Sequence, residues 1–157
     1  MAVTSLLTSL IDFSSSSPSL VDYGGGQGAG TNTDIFIEGS RSAGRRVDNT
    51  TDKGFGGTFT AADLSASEEH VKVWTWVTQW ADVTQVQVRV GDGTNNDDHD
   101  WSVTQVPVTG GFVPIWVDVS RPPEVGGSAN EASISEVGVL LDIGNVGGNA
   151  PNLILDE

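Results

Sequence analysis

Short runs in which apolar and polar residues alternate dominate this chain, and period-two alternation predicts half-buried β-strands. Asp34 to Glu38 alternates with Ile35 and Ile37 on one face; Gly39 ends it, and Ala43 to Val47 follows as a second extended piece. In Val71 to Thr78 the valines 71, 73 and 77 share one face, while Lys72, Trp74 and Trp76 share the other. Val86, Val88 and Val90 alternate with Gln85, Gln87 and Arg89. Gly91 to Asp100 is turn chemistry, so the pattern predicts a long-looped hairpin leading into a strand from Trp101 to Val108. The apolar phase shifts there between Val103 and Val106, which predicts a bulge, and Pro107 should lie at a sheet edge. Val113, Ile115, Val117 and Val119 face one way in the next strand, residues 112–119. A polar loop over 120–135 separates it from a strand at 136–143, and residues 151–157 form a terminal one.

These segments predict an all-β chain of about nine or ten strands. Most turn signals lie 8 to 12 residues apart or slightly more, which points to a two-sheet antiparallel β-sandwich of jelly-roll type. Only Ala61 to Glu69 has the makings of a helical turn. Residues 1–33 read as an N-terminal arm or loop region. Its Ser14 to Pro18 and Gly24 to Gly30 stretches flank a short strand at Leu20 to Tyr23. Residues 34–157 form the sandwich, and the 157-residue chain fits one domain overall. The chain holds 20 glycines and no cysteine, so burial and sheet hydrogen bonds must hold the fold without disulfides or thiolate metal sites.

Charge narrows the function classes. Twenty-one acidic residues stand against seven basic ones, a net charge of −14, and Lys53 and Lys72 are the only lysines. That balance repels nucleic acid and anionic membrane surfaces. It also makes the chain repel itself, an effect that strong salt screens, and it fits a protein working in concentrated salt. The first twelve residues lack a basic leader and their apolar run is broken by Thr and Ser, so they are expected to belong to the mature chain. No stretch approaches the roughly 20 apolar residues of a membrane helix.

Candidate chemistry is sparse. Gly24, Gly26 and Ala29 carry the letters of a dinucleotide fingerprint, but a strand follows where the motif needs a helix. Asp92, Asn95, Asn96, Asp97, Asp98 and Asp100 crowd one segment and could supply oxygen ligands to calcium. Their spacing is not that of an EF-hand, and a solvated hairpin tip rich in turn-formers is the favoured reading, so neither metal nor cofactor is expected. His70 and His99 are the only histidines and read as loop residues rather than a zinc pair. No nucleophile elbow is present, and with so many acids a glycosidase pair can be nominated anywhere, so a non-enzymatic role is expected. Trp74, Trp76, Trp80 and Trp116 lie opposite valine faces or just beyond them. If the arm or the 120–135 loop covers them they are core; otherwise they make a subunit interface or a platform for sugar rings. The sequon Asn49 to Thr51 reads as chance.

From Asp34 onward the chain resembles the jelly-roll domains of tailed-virus structural proteins. The resemblance rests on Ile35 to Gly39 followed by Gly44 to Val47, then Val71 to Trp76. Val88 to Asp92 ahead of Trp101 and Pro114 to Ser120 continue it, and Val137 to Asp142 with Leu153 to Glu157 complete it. The likeness is one of strands and turns and brings no catalytic residues. It implies a virion structural protein on the outer surface of a particle, as capsid decoration, turret, fibre or tail part. With the acidity, it implies a virus of a halophilic archaeon. Other virion proteins and further copies of the chain would be its partners, with no nucleic acid or membrane bound. The alternative is a carbohydrate-binding or host-adhesion module, extracellular and directed at a surface glycan.

Overall fold

The computed structural model describes residues 11, 19–24, 29–32, 42–47, 53–65, 70–103, 110–144 and 151–156. Ten strands run through them: β1 (Leu20–Tyr23), β2 (Gly30–Asn32), β3 (Ser42–Arg46), β4 (Lys53–Ala62), β5 (His70–Val77), β6 (Val83–Gly91), β7 (Asn96–Trp101), β8 (Val113–Asp118), β9 (Ile134–Ile143) and β10 (Asn152–Asp156). They form two five-stranded antiparallel sheets, ordered β1-β4-β9-β6-β7 and β2-β3-β10-β5-β8. Only the pairs β2–β3 and β6–β7 follow one another within a sheet; every other step along the chain changes sheet. That winding is the jelly roll expected from the strand spacing.

The period-two pattern decides which side chains meet between the sheets. Val71, Val73, Thr75 and Val77 of β5 and Val113, Ile115 and Val117 of β8 are buried on one side. Phe55, Val86, Val88, Val90, Val137, Val139 and Leu141 are buried on the other, and these apolar residues form one core cluster. β-branched residues suit such a surface because their stiff side chains pack across neighbouring strands. Arg45 is also buried at this level. It reaches from β3 to donate hydrogen bonds to the backbone carbonyls of Tyr23 and Gly54 in the opposite sheet, with Asp22 at 3.6 Å.

Several expectations shift. The strand β4, with its sequence KGFGGTFTAA, gives no apolar alternation and was legible only in its last residues, as part of a supposed helical turn. Its glycines have a packing reason. Gly56 pairs with Gly138 across the sheet, and the Tyr23 ring lies against them on the outer face. A Cβ on Gly138 would sit 2.6 Å from both Gly56 Cα and Tyr23 Cε2, so backbone and ring can approach only because neither glycine carries a side chain. The hairpin expected to be long-looped is tight: β6 ends at Gly91, β7 begins at Asn96, and Asn96 to Asp100 are strand rather than turn. β1 and β2, placed by the sequence in an arm, are edge strands that complete the two sheets. The alternation at 34–38, the bulge and Pro107, the serine-rich stretch at 14–18 and the sequon lie outside the described residues.

Candidate functional site

The edge strands β7 and β8 meet along one open side of the sandwich. A cleft of about 440 Å³ lies there, lined by His70 from β5, His99, Asp100, Trp101 and Ser102 from β7 and its exit, and Trp116 to Asp118 from β8. Arg121, Pro122 and Glu124 of the loop after β8 close it. Alternation places Trp116 here. Its neighbours Ile115 and Val117 turn into the core, so the indole must turn out, and it is 52% exposed. A large aromatic surface left in water at that level is a feature to explain, whereas a lone exposed aliphatic is not.

The loop is held in place by groups that the strand already carries. Glu124 N–H donates to the Asp98 carbonyl at 2.9 Å, Asp98 N–H to the Val125 carbonyl at 2.8 Å, and Asp100 N–H to Glu124 Oε2 at 2.7 Å. Asp100 Oδ1 accepts from the side-chain amides of Gln85 and Gln87 at 2.8 and 2.9 Å. On the opposite wall Asp118 accepts from the Ser120 hydroxyl and backbone N–H, and from Arg121 Nε at 3.1 Å. The hydroxyl of Ser120, its backbone N–H, and the nearby charges of His70 and Arg121 hold the Asp118 carboxyl below its ordinary range. His70 stacks obliquely on Trp116 with ring centroids 5.7 Å apart. Trp101 forms the floor, buried against Trp80, and its indole nitrogen has no hydrogen-bond partner among the described residues. One aromatic face and several oriented polar groups therefore converge on one depression, as in small-ligand sites generally.

The four tryptophans singled out from the sequence separate. Trp116 stands in the cleft; Trp80 is buried in the core against Trp101, because the short 3₁₀ turn at Trp80–Asp82 folds it inward. Trp74 and Trp76 are half-buried on the outer face of the second sheet. The Lys72 ammonium lies 5.2 Å from the Trp74 ring centre, and Phe112 meets Trp76 edge-on at 5.5 Å.

The acidic segment considered for calcium is engaged in hydrogen bonds and an ion pair with its own turn, a neighbouring strand and the loop after β8. Asp92 Oδ1 accepts from Thr94 and Asn95 N–H, and its Oδ2 from Asn130 N–H. These bonds, Asn95 first, lower its carboxyl to about 2. Asp97 Oδ1 gathers the N–H groups of Gly127, Ser128 and Ala129, an approach that requires the positive φ of Gly126 and Gly127. Asp98 makes a two-pronged ion pair with Arg89, whose guanidinium lies over Tyr23. The side chains of Asp97 and Asp98 thus leave opposite faces of β7, Asp100 holds the glutamines and Asn95 lies in the turn. Among the described residues no group of three or more His, Asp or Glu side chains is disposed around a common point. His99 lines the cleft from β7 rather than sitting in a loop; Asp100, marked only as part of the acidic segment, and Glu124, which nothing marked, belong to the cleft as well.

No protein-family model matches the chain, and no curated protein matches it in sequence. Its fold is similar to solved structures. One comes from work on the promiscuous specificity of carbohydrate-binding modules of the β-sandwich superfamily, with a TM-score of 0.52 and 13% identity over 89% of this chain and 54% of that one. Another is an exo-β-agarase, with a TM-score of 0.53 and 11% identity over 94% of this chain and 24% of that one. The chain spans about half the length of the first and a quarter of the second. At these identities the likeness is one of fold, a β-sandwich. The resemblance to tailed-virus domains holds at the level of the sandwich, and neither of these two structures connects the chain with a virus or a halophile.

Proposed function

We propose that this chain is a carbohydrate-binding module that takes a glycan in the cleft beside Trp116 and performs no chemistry on it. The observation that carries the reading is the exposed Trp116 indole set among hydrogen-bonding groups, His70, Asp100, Asp118, Arg121 and Glu124. A sugar ring presents an apolar face that stacks on an aromatic ring and a rim of hydroxyls that need directed polar partners. The same mixture favours this reading over the virion packing role that the resemblance implies, because a packing face calls for an apolar centre with its charges at the rim. The fold similarity to carbohydrate-binding modules supports the reading. The carboxylates of the cleft support binding without hydrolysis. A glycosidase acid must be protonated near neutrality, whereas Asp118 is held low and Asp100 and Glu124 anchor the walls.

A panel of neutral polysaccharides and oligosaccharides, screened on an array and followed by calorimetry, tests this. Trp116→Ala should weaken binding by about 2 kcal/mol or more, roughly thirtyfold, with little change in thermal stability. Undiminished binding by that variant, or no binding to any glycan, contradicts the proposal.

A further inference from the structure

The cleft opens onto a ladder of side chains along the outer face of β5 and β8. Antiparallel register sets its rungs: His70 opposite Asp118, Lys72 opposite Trp116, and Trp74 opposite Pro114. One step further the register brings Trp76 beside Phe112, and the two rings meet edge-on at 5.5 Å. The charged groups thus stand at the cleft end of one continuous strip and the aromatic rings of Trp74, Trp76 and Phe112 at the other, with Lys72 and Trp116 sharing a rung between them. Rungs on one face recur every second residue, so Trp76 lies about 13 Å along the strand from the Trp116 rung. That distance exceeds one sugar ring. Beyond the strip, toward β10, the outward-facing Ile154 and Asp156 are buried, so the accessible track is confined to β5 and β8.

We propose that the ligand is an extended oligosaccharide lying along this ladder, with Trp116 as the principal platform and Trp74 and Trp76 as outlying ones. The proposal rests on the carbohydrate-binding reading and adds its direction and minimum length. Lys72, its ammonium already over the Trp74 ring, supplies donors between the two platforms. Pro114 opposite Trp74 gives that rung a flat apolar partner without a flexible side chain. A ligand confined to the cleft would reach none of Lys72, Trp74 and Trp76, and would leave that part of the strip with no role in recognition.

The test is calorimetry of the whole chain with cello-, xylo- and agaro-oligosaccharides, each from the disaccharide to the hexasaccharide, on the parent protein, Trp76→Ala and Trp116→Ala. Affinity should rise with chain length. Trp76→Ala should weaken the hexasaccharide by about three- to tenfold, the worth of one aromatic stacking contact, and leave the shortest bound ligand unchanged. Trp76→Tyr should restore most of the loss, which separates a platform from a fold defect. If affinity is flat with length and Trp76→Ala binds the hexasaccharide normally, the extended track is wrong while the cleft reading stands. If none of the three series binds the parent protein, the track is wrong together with the reading beneath it.

Discussion

Arg45 leaves β3 on the inner face of one sheet and satisfies two carbonyls of the other, so a single guanidinium ties the sheets together where their edge strands come close. Its side chain is almost fully buried, which makes its hydrogen bonds charge-assisted and hard to replace. Arg45→Met keeps the volume and removes the donors, stranding the carbonyls of Tyr23 and Gly54. The expected loss is about 2–4 kcal/mol, read as a lower midpoint in urea with an unchanged slope. Asp22, half-exposed at 3.6 Å, should matter much less: Asp22→Asn should cost under about 1 kcal/mol. The two results together separate a clamp made of hydrogen bonds from one made of an ion pair.

At the scale of elements, the β6–β7 hairpin and the loop after β8 form one unit because carboxylates on the hairpin capture backbone N–H groups of the loop. Asp97→Asn exchanges a charged acceptor for a neutral one facing three donors, so it should destabilise by about 1.5–3 kcal/mol and expose the amides of Gly127, Ser128 and Ala129 to hydrogen exchange. Asp92 adds a pH dependence of known sign. Its folded-state value, about 2, lies below the ordinary 3.8, so its contribution is present above pH 3.8 and is lost as the pH falls through about 2. Exchange at the Asn130 amide should therefore accelerate in that window, and Asp92→Asn should remove the effect. A flat profile for the parent protein would show that Asp92 does not hold the loop.

The same elements show how far the sequence speaks. β5, β6 and β8 are written plainly because Val and Ile in strict alternation have one low-energy arrangement, one face in and one face out, while β9 and β10 show as short apolar runs. β4 and β7 were hidden for opposite reasons. β4 carries glycine where Tyr23 and a neighbouring backbone need room, and β7 carries Asp, Asn and His that imitate a turn but find their partners in Arg89, the glutamines and a distant loop. Trp116 was legible as an outward aromatic. Arg121 and Glu124 were not, because only the pinning of the loop after β8 onto β7 brings them beside Asp100, a residue the sequence marks only as part of an acidic segment.

For the whole molecule, a net charge of −14 on 157 residues opposes compaction in dilute buffer, where repulsion extends about 10 Å at 0.1 M salt. The melting temperature at pH 7 should rise steeply between about 0.1 and 2 M, with potassium and sodium chloride nearly equivalent, because screening depends on charge and concentration. A melting temperature that is flat with salt would show that the acidity is an ordinary soluble surface. The same field repels anionic glycans, so neutral oligosaccharides should bind more tightly than uronates of equal length, and the gap should narrow as salt is raised. The central claim concerns where the glycan sits, and the five indole N–H signals report it one residue at a time. In a nitrogen–proton correlation spectrum titrated with a neutral oligosaccharide found to bind, the Trp116 signal should move most and Trp101 beneath it should follow. Trp80, buried behind Trp101, should stay nearly still. A titration that shifts backbone signals elsewhere and leaves Trp116 unmoved would place the site on another face and contradict the account.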